Sequence, residues 1–125
     1  MKKLFVCFLL AICGGTASSQ TGISAKEASL RIGDSVTVMD KVYGGRLLSN
    51  GMTLLNLGGD FPNHLLVVMI KSEDRAKFNY KPEEVFAGKY VLVTGKLIDY
   101  KGKPEIIITD PSQIKETIPT DPEGK

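Results

Sequence analysis

From Gly33 onward, apolar and polar side chains alternate along the chain. In "GDSVTVMDKVY" the valines Val36, Val38 and Val42 share one parity, the period-two signature of a half-buried strand. Gly44 and Gly45 let that strand bend or bulge, and Asn50-Gly51 marks a hairpin turn. "MTLLNLGG" predicts a second strand. "HLLVVMIK", from His64 to Lys71, predicts a third that is apolar on both parities. Either Leu66, Val68 and Ile70 or Leu65, Val67 and Met69 therefore face outward. An outward set not covered by the N-terminal segment would form an apolar patch for a protein partner or self-association.

The period then breaks. "SEDRAKF" suits one or two helical turns with Ser72 as the cap. "KPEEVFAGK" puts Pro82 at a helix start, Glu83 and Glu84 in the first turn and Gly88 at the end. "YVLVTGKLIDY" and "PEIIITD" supply a fourth and a fifth strand, joined through Lys101-Gly102-Lys103. Phe78, Tyr80, Phe86 and Tyr90 read as the plug and wall of a core around the helical connection. The order β-β-β-α-β-β, with bends at glycines, predicts an all-β fold with a short helix, closed as a small five-stranded barrel.

The first 32 residues read differently. Lys2 and Lys3 precede the apolar run Leu4–Ile12 and a small-residue zone ending at Ser19, the layout of an export leader. The expected organisation is a leader over 1–19, an N-terminal segment over 20–31, the barrel over 32–115 and a disordered tail over 116–125. That makes the chain exported, periplasmic or secreted, with no transmembrane span after cleavage. A second reading anchors the protein by lipidation of Cys13 in "LAIC", although Ile12 is bulkier than such motifs usually carry.

Processing at that site would change the chemistry available. Both cysteines, Cys7 and Cys13, lie before residue 20, so no thiol nucleophile, disulfide or cysteine metal site is expected beyond it. Loss of Lys2 and Lys3 leaves 14 basic residues against 14 acidic ones. A neutral domain lacks the overall positive field common in strong nucleic-acid binders. His64 is the single histidine, which argues against a transition-metal site. No cofactor is expected.

The segments "GDSVTVMDKV", "MTLLNLGGDFPNHLLVVMI", "SEDRAKF" and "AGKYVLVTGKLIDYKGKPEIIITDPSQI" together resemble the OB-fold nucleic-acid-binding domains, including the anticodon-binding type. The resemblance spans about residues 32–114. It implies a ligand face on strands 2 and 3, flanked by the loops between strands 1–2 and 4–5. On this chain those loops centre on Ser49-Asn50-Gly51 and Lys101-Gly102-Lys103. The face draws on Thr53, Leu55, Asn56 and Leu57 and on His64 to Lys71. Candidate ligand contacts are Tyr43, Arg46, Asn56, Phe61, His64, Lys71, Tyr100, Lys101 and Lys103. The implied function is non-catalytic binding of single-stranded nucleic acid.

The chain departs from nucleic-acid members of that family in one respect. Strands 2 and 3 carry no aromatic residue for base stacking, so stacking falls to Tyr43, Phe61 and Tyr100 at the rim. A protein- or envelope-binding module is the alternative. Each candidate also has a purely structural reading. Hairpin chemistry accounts for Tyr100, Lys101 and Lys103 without a ligand, and a mixed solvated surface accounts for Arg46, Lys71 and Arg75 beside Glu73 and Asp74. Some nucleases build clustered acids and arginines on an OB barrel. Here Asp34, Asp40, Asp60 and Asp99 are scattered, with no motif joining them to Arg46 or Arg75, which points away from catalysis.

Overall fold

The computed structural model describes residues 22–119; the expected leader with Cys13, and residues 120–125 of the tail, lie outside that range. Its first element is the single-turn helix α1, Ala25–Ala28. Two oxygens cap its free N–H groups. Ser24 Oγ accepts from the Glu27 amide at 3.1 Å, and Asp40 Oδ2 accepts from the Ala25 amide at 2.8 Å. Ala25 and Ala28 are fully buried, so the turn plugs the barrel with its two small side chains.

Six strands follow: β1 Ser35–Leu47, β2 Thr53–Leu57, β3 Leu66–Ile70, β4 Tyr90–Tyr100, β5 Lys103–Ile108 and β6 Ile114–Glu116. They pair in the order β1-β2-β3-β5-β4, and β1 closes on β4. The β3–β5 pair is parallel; the others are antiparallel. This is the closed five-stranded barrel that the alternation predicts. The register of β1 shifts between Val42 and Gly44, the expected bulge, and Tyr43 sits on it facing solvent.

The side-chain period sorts the residues cleanly. Val38, Val42, Leu55, Leu57, Leu66, Val68, Ile70, Val93, Leu97, Ile106 and Ile108 point inward with no exposure. Burying each contributes roughly 1.5–3 kcal/mol relative to leaving it in water. Of the two sets open in β3, Leu66, Val68 and Ile70 are the inner one. Outside, only Leu65 is more than a third exposed, while Val67 is buried and Met69 half-buried. The broad apolar patch considered for this strand is therefore not formed.

The connection from β3 to β4 holds two helical turns, α2 Ser72–Arg75 and α3 Pro82–Val85. Ser72 begins α2 without acting as its cap: the N-cap is Lys71, and no side chain bonds there. Pro82 starts α3 as expected. Arg75 joins both turns to the barrel. It donates to Glu83 Oε1 at 2.6 Å and Oε2 at 3.1 Å, and to Thr53 Oγ1 at 2.6 Å. Arg75 is thus committed to this pair and is no part of a basic rim. Phe78 and Phe86 are buried plugs, with Tyr80 edge-on to both rings at 5.5 and 5.7 Å. Tyr80 and Tyr90 are each more than a third exposed.

The strand β6 was not apparent in the alternation. Asp110 caps the 3-10 turn Pro111–Gln113 in a capping box, and the turn delivers Ile114 to pair with Val93 of β4. Among the described residues, no helix is long and apolar enough to cross a membrane.

Candidate functional site

The outward parity of β2, β3 and the β4–β5 hairpin builds a single cavity. Its volume is about 270 Å³, and Arg46, Leu54, Asn56, Phe61, His64, Val67, Tyr100 and Lys101 line it. Six of these are among the nine residues that the sequence singled out. Leu54 and Asn56 rise from β2, and Asn56 is register partner to Val67 on β3, so these side chains form the floor. Arg46 comes from β1 opposite Leu54. Tyr100 and Lys101 enter from the hairpin tip, where Lys101 takes a left-handed φ of 52° and Gly102 one of 88°.

Thr53, Leu55 and Leu57 do not belong to this face. They point into the barrel with no exposure, because alternation gives the outward positions to Leu54 and Asn56. The turn at Ser49-Asn50-Gly51 does not reach the cavity either. Gly51 packs against the start of α2, where a Cβ would stand 2.7 Å from Ser72 Cβ. Lys71 is exposed at the far end of β3. Tyr43 does not line the cavity; it lies under Lys41, whose Nζ is 5.1 Å from its ring.

The rim carries rings and cations together. Phe61, 61% exposed, stacks on His64 with ring centroids 5.6 Å apart and planes 20° from parallel. The Arg46 guanidinium stands 5.5 Å from the Phe61 ring, and Lys101 Nζ stands 5.2 Å from that of Tyr100. Such contacts contribute about 0.5–1 kcal/mol at exposed sites. Neither Arg46 nor Lys101 forms an ion pair among the described residues. Among the described residues, no carboxylate lines the cavity.

His64 is buried, 7% exposed, just before β3. Burial, and then the positive charge of Lys103, hold its imidazole below the ordinary value of 6.5. It is therefore a neutral ring at physiological pH. Lys103 itself does not line the cavity. Its ammonium donates to the carbonyl oxygens of His64 at 2.7 Å and Pro62 at 3.0 Å. Behind Val67, on the same outward parity, its register partner Glu105 is buried, with Oε2 unpartnered. Desolvation pushes that carboxyl above 4.5.

Sequence reasoning included Val67 in the face, within His64 to Lys71, and missed Leu54 and Glu105. Parity would have found Leu54, since polar Asn56 two positions on is the outward marker in "TLLNL". Nothing in "PEIIITD" announces that its glutamate is buried. Among the described residues, no cluster of three or more His, Cys, Asp or Glu side chains could hold a metal ion.

No protein-family model matches this sequence, and no curated protein does. Solved structures do match. One is described as an aspartyl-tRNA synthetase from Leishmania major Friedlin, at a TM-score of 0.53 and 14% identity over 86% of this chain. An asparaginyl-tRNA synthetase from Pyrococcus horikoshii matches 76% of it at 0.51 and 13% identity. The chain spans 22% of the length of either synthetase. An OBody, AM1L10, bound to hen egg-white lysozyme, matches at 0.51 and 14% identity over 82% of this chain and 98% of its own. Likeness at this level of identity concerns the fold alone. With the closed strand order β1-β2-β3-β5-β4, it identifies the chain as an OB-fold barrel.

Proposed function

We propose that the protein is a non-catalytic binding module for single-stranded nucleic acid, exported to the periplasm or secreted, with the β2–β3 face as its ligand site. One observation carries the reading. Among the described residues, the cavity on that face combines two unpaired cations, two exposed aromatic rings and the Asn56 carboxamide, and no carboxylate lines it. Cations suit phosphates, ring faces suit unstacked bases, and a carboxamide offers both a donor and an acceptor to a base edge. The likeness to two tRNA synthetases is consistent with this ligand class, and the leader-like residues 1–19 motivate the export part of the reading.

The test is fluorescence anisotropy of the purified protein with labelled single-stranded DNA and RNA across a salt series. Micromolar binding that weakens with salt and falls when Lys101 and Arg46 become alanine is the expected result. A second reading, a protein-binding module, draws on the OBody match, in which this fold is bound to lysozyme. Absence of oligonucleotide binding even at low salt would retire the first reading in favour of the second.

A further inference from the structure

Lys103 sits in the hairpin that supplies candidate ligand contacts, yet its ammonium is already engaged. The ammonium bridges the carbonyls of Pro62 and His64, 41 and 39 residues away in the chain. Those carbonyls belong to the β2–β3 loop, the segment that places Phe61 and His64 on the cavity. That loop has few other ties. Gly58 N–H donates to Lys41 O at 3.2 Å where the loop leaves β2, Asn63 N–H donates to Asp60 O at 2.6 Å, and Leu65 N–H donates to Leu57 O at 2.9 Å. Phe61, whose amide is held locally by Asp60 Oδ1, leaves its ring 61% exposed. By contrast Lys101, two residues away, is exposed, unpaired and on the lining.

We infer that Lys103 is a positioning residue: it latches the β2–β3 loop to the β4–β5 hairpin and thereby sets the Phe61 and His64 rings for the ligand. The ligand part of this inference rests on the nucleic-acid reading above; the latch itself does not. A lysine already donating to two carbonyls has one ammonium hydrogen left, and Lys103, unlike Lys101, does not line the cavity where a phosphate would sit. The division of labour is then definite. Lys101 and Arg46 meet the backbone, Phe61 and Tyr100 meet the bases, and Lys103 fixes the distance between the two rims.

Two measurements separate a latch from a phosphate contact. The first is a double-mutant cycle in oligonucleotide affinity. Lys103→Met should weaken binding roughly tenfold, near the low end of losing one stacked base. In a Phe61→Ala background the same change should cost under about twofold, because the ring it positions is gone. The slope of log affinity against log salt should not move. A phosphate contact would instead flatten the slope by about 0.7 and act additively with Phe61→Ala, overturning the inference. If Lys103→Met does not fold, Lys103→Gln removes the charge while keeping a donor, and its salt slope decides the same question.

The second measurement is amide hydrogen exchange without ligand. Exchange at Asn63 and Leu65 should accelerate about tenfold in Lys103→Met while the β1–β4 amides stay protected. Unchanged exchange at those two amides would overturn the latch. If wild type binds no oligonucleotide, the nucleic-acid reading fails, and this exchange arm still decides whether Lys103 is a latch.

Discussion

Replacing Glu105 by methionine should stabilise the protein, and increasingly so as pH rises. Glu105 stands on the outward parity of β5 between Val67 of β3 and Ile98 of β4, and only 2% of its surface is exposed. Its Oε2 has no partner. An unsatisfied buried polar group costs about 1–3 kcal/mol, and methionine fills a similar volume with no polar atom. A gain of about 1 kcal/mol at neutral pH is expected, which would raise Tm by about 4–8 °C for a domain of this size. Ionisation adds to the effect. The folded carboxyl is held above 4.5 by desolvation, so the folded state binds its proton more tightly than the unfolded chain. Its contribution is therefore intact below 4.5 and is lost as pH climbs through the folded value.

The assay is urea denaturation followed by far-UV circular dichroism at pH 4, 6 and 8, comparing wild type with Glu105→Met and Glu105→Gln. Taking differences cancels the titration of His64. The stability gap to each variant should widen from pH 4 to pH 8. A Glu105→Met protein less stable than wild type at pH 8, or a gap that does not change with pH, would refute the reasoning.

Other consequences are as specific. Glu83→Gln should cost about 2 kcal/mol at pH 7, since it breaks a bidentate pair whose side chains are 19% and 12% exposed. Hydrogen bonding from Arg75 holds the Glu83 carboxyl below 4.5, so its contribution is present above 4.5 and lost as pH falls through the folded value. Calorimetry should find the two proteins converging in acid. Gly51→Ala should cost about 1–3 kcal/mol by urea midpoint, given a φ of 92° and Ser72 Cβ at 2.7 Å, without changing oligonucleotide affinity. Lys101→Gly should do the reverse. It relieves the left-handed backbone at φ 52° and so unfolds no earlier than wild type, but it binds oligonucleotide more weakly and with a shallower salt slope.

The barrel was legible because strand alternation and punctuation by glycine agree. The bulge at Gly44, the turn at Gly51 and the break at Ser72 all fall where local chemistry asks for them. Helical caps were less legible: Ser72 has the right side chain, but the chain enters the turn one residue earlier. Most of the cavity lining followed from the strand 2–3 face and the 4–5 hairpin, whereas the 1–2 turn at Ser49-Asn50-Gly51 lies away from it. What sequence could not supply was the partner of each polar group. Lys103 and Lys101 look equivalent in "YKGKP", yet one lies within 2.7 Å of a carbonyl 39 residues away and the other faces the cavity. Likewise "VVM" and "EII" say nothing of the parallel register that sets Glu105 beside Val67.

The parallel seam between β3 and β5 also governs how the chain assembles. The meander β1-β2-β3 and the hairpin β4-β5 each pair through short local turns. Their union requires Val67 to meet Glu105, and Ser35 to meet Lys96, across long stretches of chain. Contacts so distant in sequence slow folding into the millisecond-to-second range typical of small barrels. Until the seam closes, the meander presents an apolar edge, Leu66-Val67-Val68-Met69-Ile70, with unpaired backbone. That edge can pair with any other extended chain it meets. Separating the halves between α3 and β4 would leave it permanently open, and such a fragment would aggregate where the intact barrel has no free edge along β3.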